Sequence, residues 1–423
     1  MVLSRLFRSK LVIFCVFFLG LPVFSVFTSA VSSAAEKKPF FYVLEADILG
    51  GYSKIIGGNG TVSSSDRWLV SPNLKIKDGL YWINVYNGSY DRASQVVAQE
   101  EGGRQTQSTV SHTLSSALKF NVNPAWSLRP LVFADWVFVD ETKNESFGDG
   151  LYDYRDAGTG LESSWMVSQT KDEDKQWRAG FRYLGREYPN FQSLLSQFDP
   201  NGNQETNEKD LNGYKVNVGY DSNVPRGTSW GWETISFLKD YTDKRTINSN
   251  GIRTNDSRQD FLQVLSGNVS RPLTQEFRWR LDGQFAFNLS NLDFYDTHNT
   301  LSLTDDTFVK DYFDTVSFLL RPTLIYTRPI EKDKNIALTA SYAFYTQLYT
   351  GRLAQNTAGI YQNEKENDFS HSFSIRASYP LTRNVSWVST CNYTIAASNQ
   401  KFESFYLYSY DSWSALTGFS FKT

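Results

Sequence analysis

The sequence predicts an all-β protein, a transmembrane antiparallel up-and-down β-barrel of about sixteen strands, with fourteen to eighteen compatible with the pattern. Aromatic residues are abundant, with 24 Tyr, 31 Phe and 11 Trp against only 2 Met, which is typical of strands rather than helical cores. The mean hydropathy of the chain is −0.41, and no stretch after residue 27 approaches the roughly 18 apolar residues that a spanning helix needs. A barrel that turns every second side chain towards lipid satisfies both observations.

The N-terminal segment has the features of a secretory signal peptide in their usual order. Three basic residues precede the apolar run Leu11–Phe27, and small residues follow it up to Ala35. This order predicts Sec-dependent export, with a signal peptide over residues 1–35, cleavage near Ala34 or Ala35, and a barrel over residues 36–423. An uncleaved helical anchor is the alternative, but a proline interrupts the apolar run.

Charge and cysteine content exclude several classes of protein. Removing residues 1–35 takes away three of the 42 basic residues and none of the 45 acidic ones, so the mature chain carries a net charge of −6. No basic segment for nucleic acid is left. Cys391 is then the only cysteine, which excludes an intramolecular disulfide, a cysteine-based zinc site and c-type haem.

Apolar and polar residues alternate most clearly in the stretch Glu276–Ser290. Its odd positions hold Phe277, Trp279, Leu281, Gly283, Phe285, Phe287 and Leu289, whereas its even positions hold Glu276, Arg278, Arg280, Asp282, Gln284, Ala286, Asn288 and Ser290. A helix cannot produce this period of two. The same alternation recurs over residues 110–122, 176–183, 214–221, 315–326, 336–347, 369–379 and 385–395.

The predicted strands are joined by short and long connections in alternation, as in bacterial barrels with tight periplasmic turns and longer outer loops. Short turns fall near residues 77–79, 123–124, 172–175, 223–228, 272–275, 331–334 and 382–384. Long connections fall near 50–65, 93–106, 140–152, 189–210, 245–257, 293–310 and 351–366, with a shorter one near 398–403. This division gives sixteen strands, from near Phe40 to near Phe421, with both termini in the periplasm.

Aromatic residues recur at the two predicted ends of the strands. Tryptophans follow the short turns at Trp126, Trp177, Trp230, Trp232, Trp279 and Trp387. Tyrosines lie near the outer ends at Tyr90, Tyr188, Tyr241, Tyr295 and Tyr349. Amphipathic rings of this kind form girdles at the headgroup level on both sides of a membrane barrel.

A local repeat links the sequence to a known family. The segment Ser270–Trp279 (SRPLTQEFRW) matches Ser378–Trp387 (SYPLTRNVSW), with Trp seven residues after Pro in both. These hairpins resemble those of the Gram-negative outer-membrane β-barrel porin family, and the segment Tyr410–Phe421 resembles that family's last strand. The resemblance implies architecture and an outer-membrane location, but no particular solute. Such barrels usually end on an aromatic residue, whereas this chain continues to Lys422 and Thr423.

Charged residues on the polar side of the predicted strands are the main functional signal. The set predicted to line the lumen is Glu45, Asp47, Lys75, Lys119, Glu162, Arg178, Arg182, Lys215, Asp221, Glu233, Arg278, Arg280, Asp282, Arg321 and Arg376. Sixteen strands enclose a bore wide enough for water, and arginines lining it bias passage towards anions. The alternative is that these residues pair with one another and only stiffen the wall.

Two motifs in the long connection 189–210 have both a functional and an ordinary loop interpretation. Residues 191–198 could form an amphipathic helix that folds into the bore from loop 189–210, although an exposed loop is the simpler interpretation. Residues 199–205 carry oxygen donors at alternate positions but lack a complete calcium-loop signature, so no metal site is assigned. No His-x-Ser pair of the kind found in outer-membrane lipolytic barrels is present in the sequence, and we expect no enzyme activity.

These observations predict an outer-membrane channel for passive diffusion of small hydrophilic solutes, biased towards anions. The expected partners are outer-membrane lipid and lipopolysaccharide, the barrel-assembly machinery and a homotrimer of the chain, with no nucleic acid and no cofactor. The alternative is a barrel that acts as a sheath or conduit for a partner, either an electron-transfer protein or an exported polymer.

Overall fold

The computed structural model describes residues 39–56, 60–98, 104–140, 147–170, 173–191, 207–296, 307–331, 334–403 and 407–423. The signal peptide and residues 192–206, which hold most of the predicted helix and the calcium-like motif, lie outside the described residues. Among the described residues, no helix has the length and apolar character needed to cross a membrane.

Sixteen of the strands in the described residues form one closed antiparallel barrel, as the alternation predicts. Two short strands form a separate hairpin, β12–β13. The strands are β1 Phe40–Ile55, β2 Thr61–Lys77, β3 Leu80–Ala98, β4 Arg104–Asn121, β5 Trp126–Asp140, β6 Tyr154–Gln169, β7 Asp174–Glu187, β8 Leu211–Val224, β9 Thr228–Ile247, β10 Arg253–Pro272, β11 Phe277–Ser290, β12 Phe294–Asp296, β13 Thr307–Val309, β14 Thr315–Glu331, β15 Lys334–Gln355, β16 Tyr361–Pro380, β17 Val385–Ser398 and β18 Tyr410–Lys422.

Neighbouring strands in the barrel are neighbours in sequence, apart from the hairpin β12–β13, which lies between β11 and β14 in the chain. The stretches with weak alternation, near residues 80–90, 229–240 and 258–270, are strands β3, β9 and β10. Backbone pairing on both sides holds these segments extended even where their side chains do not alternate cleanly.

Four of the predicted long connections are shorter than expected. Strand β1 continues to Ile55 and β2 begins at Thr61, so the predicted 50–65 loop is mostly strand. The same holds for the connections predicted at 93–106, 245–257 and 351–366. Polar residues in these segments still pair through their backbones, because strand pairing does not require the side chains to be buried.

Strands β1 and β18 close the barrel, and the two residues beyond the last aromatic take part in the closure. Thr423 donates its backbone N–H to the carbonyl of Leu44 at 3.0 Å. Lys422 forms an ion pair with Glu45, with 2.7 Å between Nζ and Oε1. Lys422 and Thr423 therefore add contacts at the seam between the first and last strands.

Candidate functional site

The strand register places all fifteen sequence-predicted residues on the same face of the sheet. Residues directly opposite each other in an antiparallel pair point to the same side, so the pairings can be followed from strand to strand around the barrel. Arg182, for example, lies opposite Lys215, and Asp282 lies opposite Arg321. This face, called the charged face below, contains Glu45, Asp47, Lys75, Lys119, Glu162, Arg178, Arg182, Lys215, Asp221, Glu233, Arg278, Arg280, Asp282, Arg321 and Arg376.

The opposite face, called the apolar face, carries many of the large exposed hydrophobic side chains. Members from six different strands are Ile48, Val132, Trp165, Phe181, Phe285 and Ile375. Trp165 is 60% exposed and Ile375 is 54% exposed. Exposing so many large apolar side chains to water would be unfavourable in free energy. His112 and His371 also lie on this face, and Nδ1 of each ring is hydrogen-bonded to a tyrosine hydroxyl.

Glycines on the charged face make room for the charged side chains. A Cβ added to Gly231 would lie 2.7 Å from Oδ1 of Asp221 and 2.9 Å from the carbonyl oxygen of Tyr220. A Cβ at Gly160 would lie 2.9 Å from Cγ of Arg182. Only a residue without a side chain leaves these positions free for the neighbouring charged groups.

A row of ion pairs crosses strands β5 to β8 on the charged face. Glu162 pairs with both Arg129 and Arg182, and the Arg182 Nη2–Glu162 Oε1 distance is 2.6 Å. Arg178 donates to Asp221 at 2.7 Å. Glu162 balances only one of its two arginines, and the Asp135 carboxylate of β5 also faces this side.

Six of the fifteen predicted residues are brought together around one recess of about 250 Å³. They are Arg178, Asp221, Glu233, Arg280, Asp282 and Arg321. Polar uncharged side chains of the recess include Ser266, Asn268 and Gln284. The recess spans strands β7 to β14, with the small and polar residues of β10 in its middle.

Charge is distributed unevenly across the recess. Asp282 accepts hydrogen bonds from Arg280 at 2.6 to 3.0 Å, and Arg321 approaches the same carboxylate at 3.6 Å. One carboxylate therefore balances two arginines on this side. On the other side, the Glu233 carboxylate accepts a hydrogen bond from the Asn217 amide at 3.1 Å and forms no ion pair with a described residue.

The remaining predicted residues are spread over the charged face. Asp47 pairs with Arg376 at 3.0 Å, Lys75 pairs with the turn residue Asp78, and Arg278 donates to the carbonyl of Gly227 at 3.1 Å. In the described part of the chain, neither Lys119 nor Lys215 forms an ion pair.

Sequence reasoning missed further charged residues on this face, among them Arg129, Asp135, Asp156 and Arg186. Arg186 forms a two-point hydrogen-bonded pair with Asp156, at 2.7 and 2.8 Å. The alternation in β5 and β6 is broken by apolar residues such as Leu131 that also face this side. The alternation alone therefore did not identify these charged residues.

Tyr241 and Tyr349, both predicted to belong to the outer girdle, do not lie there, and Tyr295 is in the separate hairpin β12–β13 rather than in a barrel strand. Tyr241 and Tyr349 are on the charged face and are 5% and 6% exposed. Each packs against an arginine: Arg258 lies 4.6 Å from the Tyr241 ring centre, and Arg352 lies 4.1 Å from that of Tyr349. The prediction was wrong because closeness to a strand end does not fix which face a side chain occupies.

The Arg352 side chain is part of a buried cluster at the end of the barrel opposite the chain termini. Its guanidinium also stacks on Tyr312, 4.0 Å from the ring centre, and lies 3.9 Å from the carboxylate of Glu366. Glu366 is fully buried, and in the described structure neither carboxylate oxygen has a hydrogen-bond partner. Burial raises its pKa to about 7, against the opposing effect of Arg352.

No protein-family model matches the sequence, and no curated protein matches it. Several solved structures are similar. Outer-membrane-expressed OmpT of Vibrio cholerae has 8% identity, covers 92% of this chain and 100% of that chain, and gives a TM-score of 0.45. A bacterial polysaccharide outer membrane secretin has 9% identity, coverage of 90% and 98%, and a TM-score of 0.43. An anion-selective porin from Comamonas acidovorans has 11% identity, coverage of 91% and 99%, and a TM-score of 0.42.

Proposed function

We propose that the protein is an outer-membrane channel through which small hydrophilic solutes diffuse passively. The observation that carries the proposal is the ion pair between Asp47 and Arg376, at 3.0 Å, across the two intervening strands β17 and β18. Side chains three strands apart converge only on the concave side of a curved sheet. This pair therefore supports a charged face that lines the bore and an apolar face that contacts lipid.

The apolar face supports the membrane location. A closed barrel has no unpaired edge strands and can satisfy its backbone hydrogen bonds inside a bilayer. Together with the N-terminal signal features, this favours Sec-dependent export to the outer membrane of a Gram-negative cell. Outer-membrane lipid, lipopolysaccharide and the barrel-assembly machinery are then the proposed partners, and a homotrimer is the proposed assembly.

The channel is proposed to favour anions. Glu162 and Asp282 each balance one of two arginines, and Lys119 and Lys215 add two cations without an ion pair to a described residue. The opposing charges, which form no ion pair with a described residue, are Glu233, Asp91 and Asp135. In a narrow water-filled bore such an excess raises the local concentration of anions. We propose no enzyme activity for the protein.

The sheath alternative has one observation in its favour. Apolar side chains interrupt the charged face on β3 and β5, at Ile83, Val85, Leu131 and Phe133. A partner protein inside the barrel could contact this strip. Such a barrel would co-purify with its partner and would not conduct ions when reconstituted alone.

Planar-bilayer recording of the refolded chain tests the proposal. We expect stable conductance steps and, in a KCl gradient, a reversal potential that indicates a preference for chloride. Arg280→Ala removes one cation from the bore and should lower the chloride-to-potassium permeability ratio, by about twofold for a partly screened charge. Arg278→Ala should act in the same direction.

Arg271→Ala is the matched control, because Arg271 lies on β10 opposite Trp279, on the apolar face. It should leave the permeability ratio unchanged. A folded barrel that gives no conductance steps would contradict the channel and favour the sheath.

A further inference from the structure

The recess on the charged face separates opposite net charges across strand β10. On the β7–β9 side, the pair Arg178–Asp221 is neutral and Glu233 adds one negative charge. On the β11–β14 side, two arginines share Asp282 and leave one positive charge. The recess is therefore dipolar rather than simply cationic.

We propose that this recess binds zwitterionic solutes of about dipeptide length. The ammonium group would lie at Glu233 and the carboxylate at Arg280 and Arg321. The inference deepens the proposed channel function, since it requires the charged face to be open to water and solute.

The spacing of the charges favours a dipeptide over a single amino acid. Glu233 lies opposite Ser266 on β10, and Ser266 lies opposite Gln284 on β11. Arg280 is four residues from Gln284 along β11, and Arg321 is on the next strand, β14. The backbones of both arginines are therefore roughly 16 Å from that of Glu233, and the long side chains on both sides reduce the separation of the charged groups. An extended dipeptide spans about 7 Å and reaches both sides through hydrogen bonds of roughly 2.8 Å. The two charges of one α-amino acid are too close together to do so.

Two side-chain amides lie between the two charged walls of the recess. Asn268 and Gln284 line the recess, and their side-chain amides make no hydrogen bond to a described residue. An amide both donates and accepts hydrogen bonds, which matches the N–H and C=O of a peptide bond. Arg280 and Arg321 are 46% and 48% exposed, so both guanidinium groups can be reached from the bore.

Singly charged solutes fit less well. An anion of the same length places an uncharged end near the Glu233 carboxylate, and a cation places one near the two arginines. Each then leaves one charged wall of the recess without a partner. The zwitterion is the one form that satisfies both walls.

Isothermal titration calorimetry on the folded barrel in detergent micelles tests the inference without requiring conduction. The probes are glycylglycine, its C-terminal amide, N-acetylglycylglycine and the N-acetyl amide, which share one backbone and differ only in their charged ends. Glycylglycine should bind most tightly, about tenfold better than the neutral form, and glycine should bind no better than the neutral form.

Two variants locate the site. Glu233→Gln should weaken glycylglycine and the cationic amide but not N-acetylglycylglycine. Arg321→Gln should weaken glycylglycine and N-acetylglycylglycine but not the cationic amide. Arg271→Gln, on the apolar face, should change none of the affinities.

Equal affinity for all four peptides, or an unchanged glycylglycine affinity in both recess variants, would overturn the inference. Bilayer recording of the same preparation separates it from the channel proposal. Ion conductance without zwitterion preference removes the recess inference alone, whereas selective binding in a non-conducting barrel retains the recess and removes the channel.

Discussion

Gly231 shows how one residue controls the position of its charged neighbours. It lies on the charged face beside Asp221, which pairs with Arg178 at 2.7 Å. The space that a Cβ would need is already taken by the Asp221 carboxylate and the Tyr220 carbonyl. The position is thus restricted by packing rather than by an unusual backbone conformation.

We expect Gly231→Ala to destabilise the barrel by about 1–3 kcal/mol, because part of the clash is with backbone that cannot move freely. It should also displace Asp221 from Arg178. Urea unfolding in lipid vesicles measures the first effect. Gly185→Ala is the control, since nothing lies within 4 Å of the added Cβ; equal effects of the two substitutions would contradict the packing argument.

Glu162 is the counter-charge for two arginines, Arg129 and Arg182. Glu162→Gln should reduce unfolding free energy by only about 1 kcal/mol, because both guanidinium groups remain partly exposed to water. The same change releases a second cation into the bore.

Bilayer recordings should therefore show a higher chloride-to-potassium permeability ratio for Glu162→Gln than for the wild type, opposite in sign to Arg280→Ala. Glu187→Gln provides a matched control, since Glu187 pairs with Arg155 on the apolar face. An unchanged ratio for Glu162→Gln would show that the ion pairs of Glu162 do not face the ion path.

At the scale of elements, the part of β16 around Glu366 lies beyond the lipid-facing band. The neighbouring positions of the apolar face hold Asn363, Lys365 and Asn367 rather than large apolar residues. This end of β16 instead packs against β15 and the connection that follows hairpin β12–β13, through Arg352 and Tyr312. The cluster thus ties the connection to the barrel wall.

The pKa of Glu366 makes the stability of this cluster depend on pH. Its folded-state pKa is about 7, raised from 4.5 by burial, so between these values the folded cluster holds a proton that the unfolded segment has released. Stability falls as pH rises through that window.

Hydrogen exchange of the backbone amides of residues 351–355 should therefore be slower at pH 5 than at pH 8, after correction for intrinsic rates. Glu366→Gln should remove most of the difference, because the side chain no longer titrates. A pH dependence that survives this substitution would assign the effect to another group.

The sequence predicts which side chains share a face in some strands, such as β11, but not in others. The odd and even residues of β11 separate cleanly, and the register places Arg278, Arg280 and Asp282 on one side. In β9, the aromatic residues Trp232 and Phe237 lie on opposite faces. A barrel strand buries no side in a conventional core, so apolar residues are tolerated on both faces and the pattern weakens.

At the scale of the whole molecule, sixteen strands close through β1 and β18. Closure imposes a condition that the sequence of one strand does not reveal. In every strand, the side chains on one face must lie on the same side of the sheet as those of both neighbouring strands, around the full circle. The continuous pairings meet this condition, from Asp47 opposite Ser420 back to Asp47 opposite Arg67, and register shifts such as that between Met166 and Ser168 lie near strand ends. An error in one register would have turned a strand inside out.

The sequence by itself indicated the all-β class, a strand count near sixteen within the range fourteen to eighteen, and fifteen charged residues on the polar side of their own strands. These follow from a period of two and from turn positions, which are local properties of the chain. Only the tertiary structure decided that six of these residues surround one recess, that Glu162 and Asp282 each serve two arginines, and that Tyr241 and Tyr349 pack beneath arginines. Those relations depend on register and stagger between strands, and residues far apart in sequence become neighbours only when hydrogen bonding fixes how each strand slides against the next.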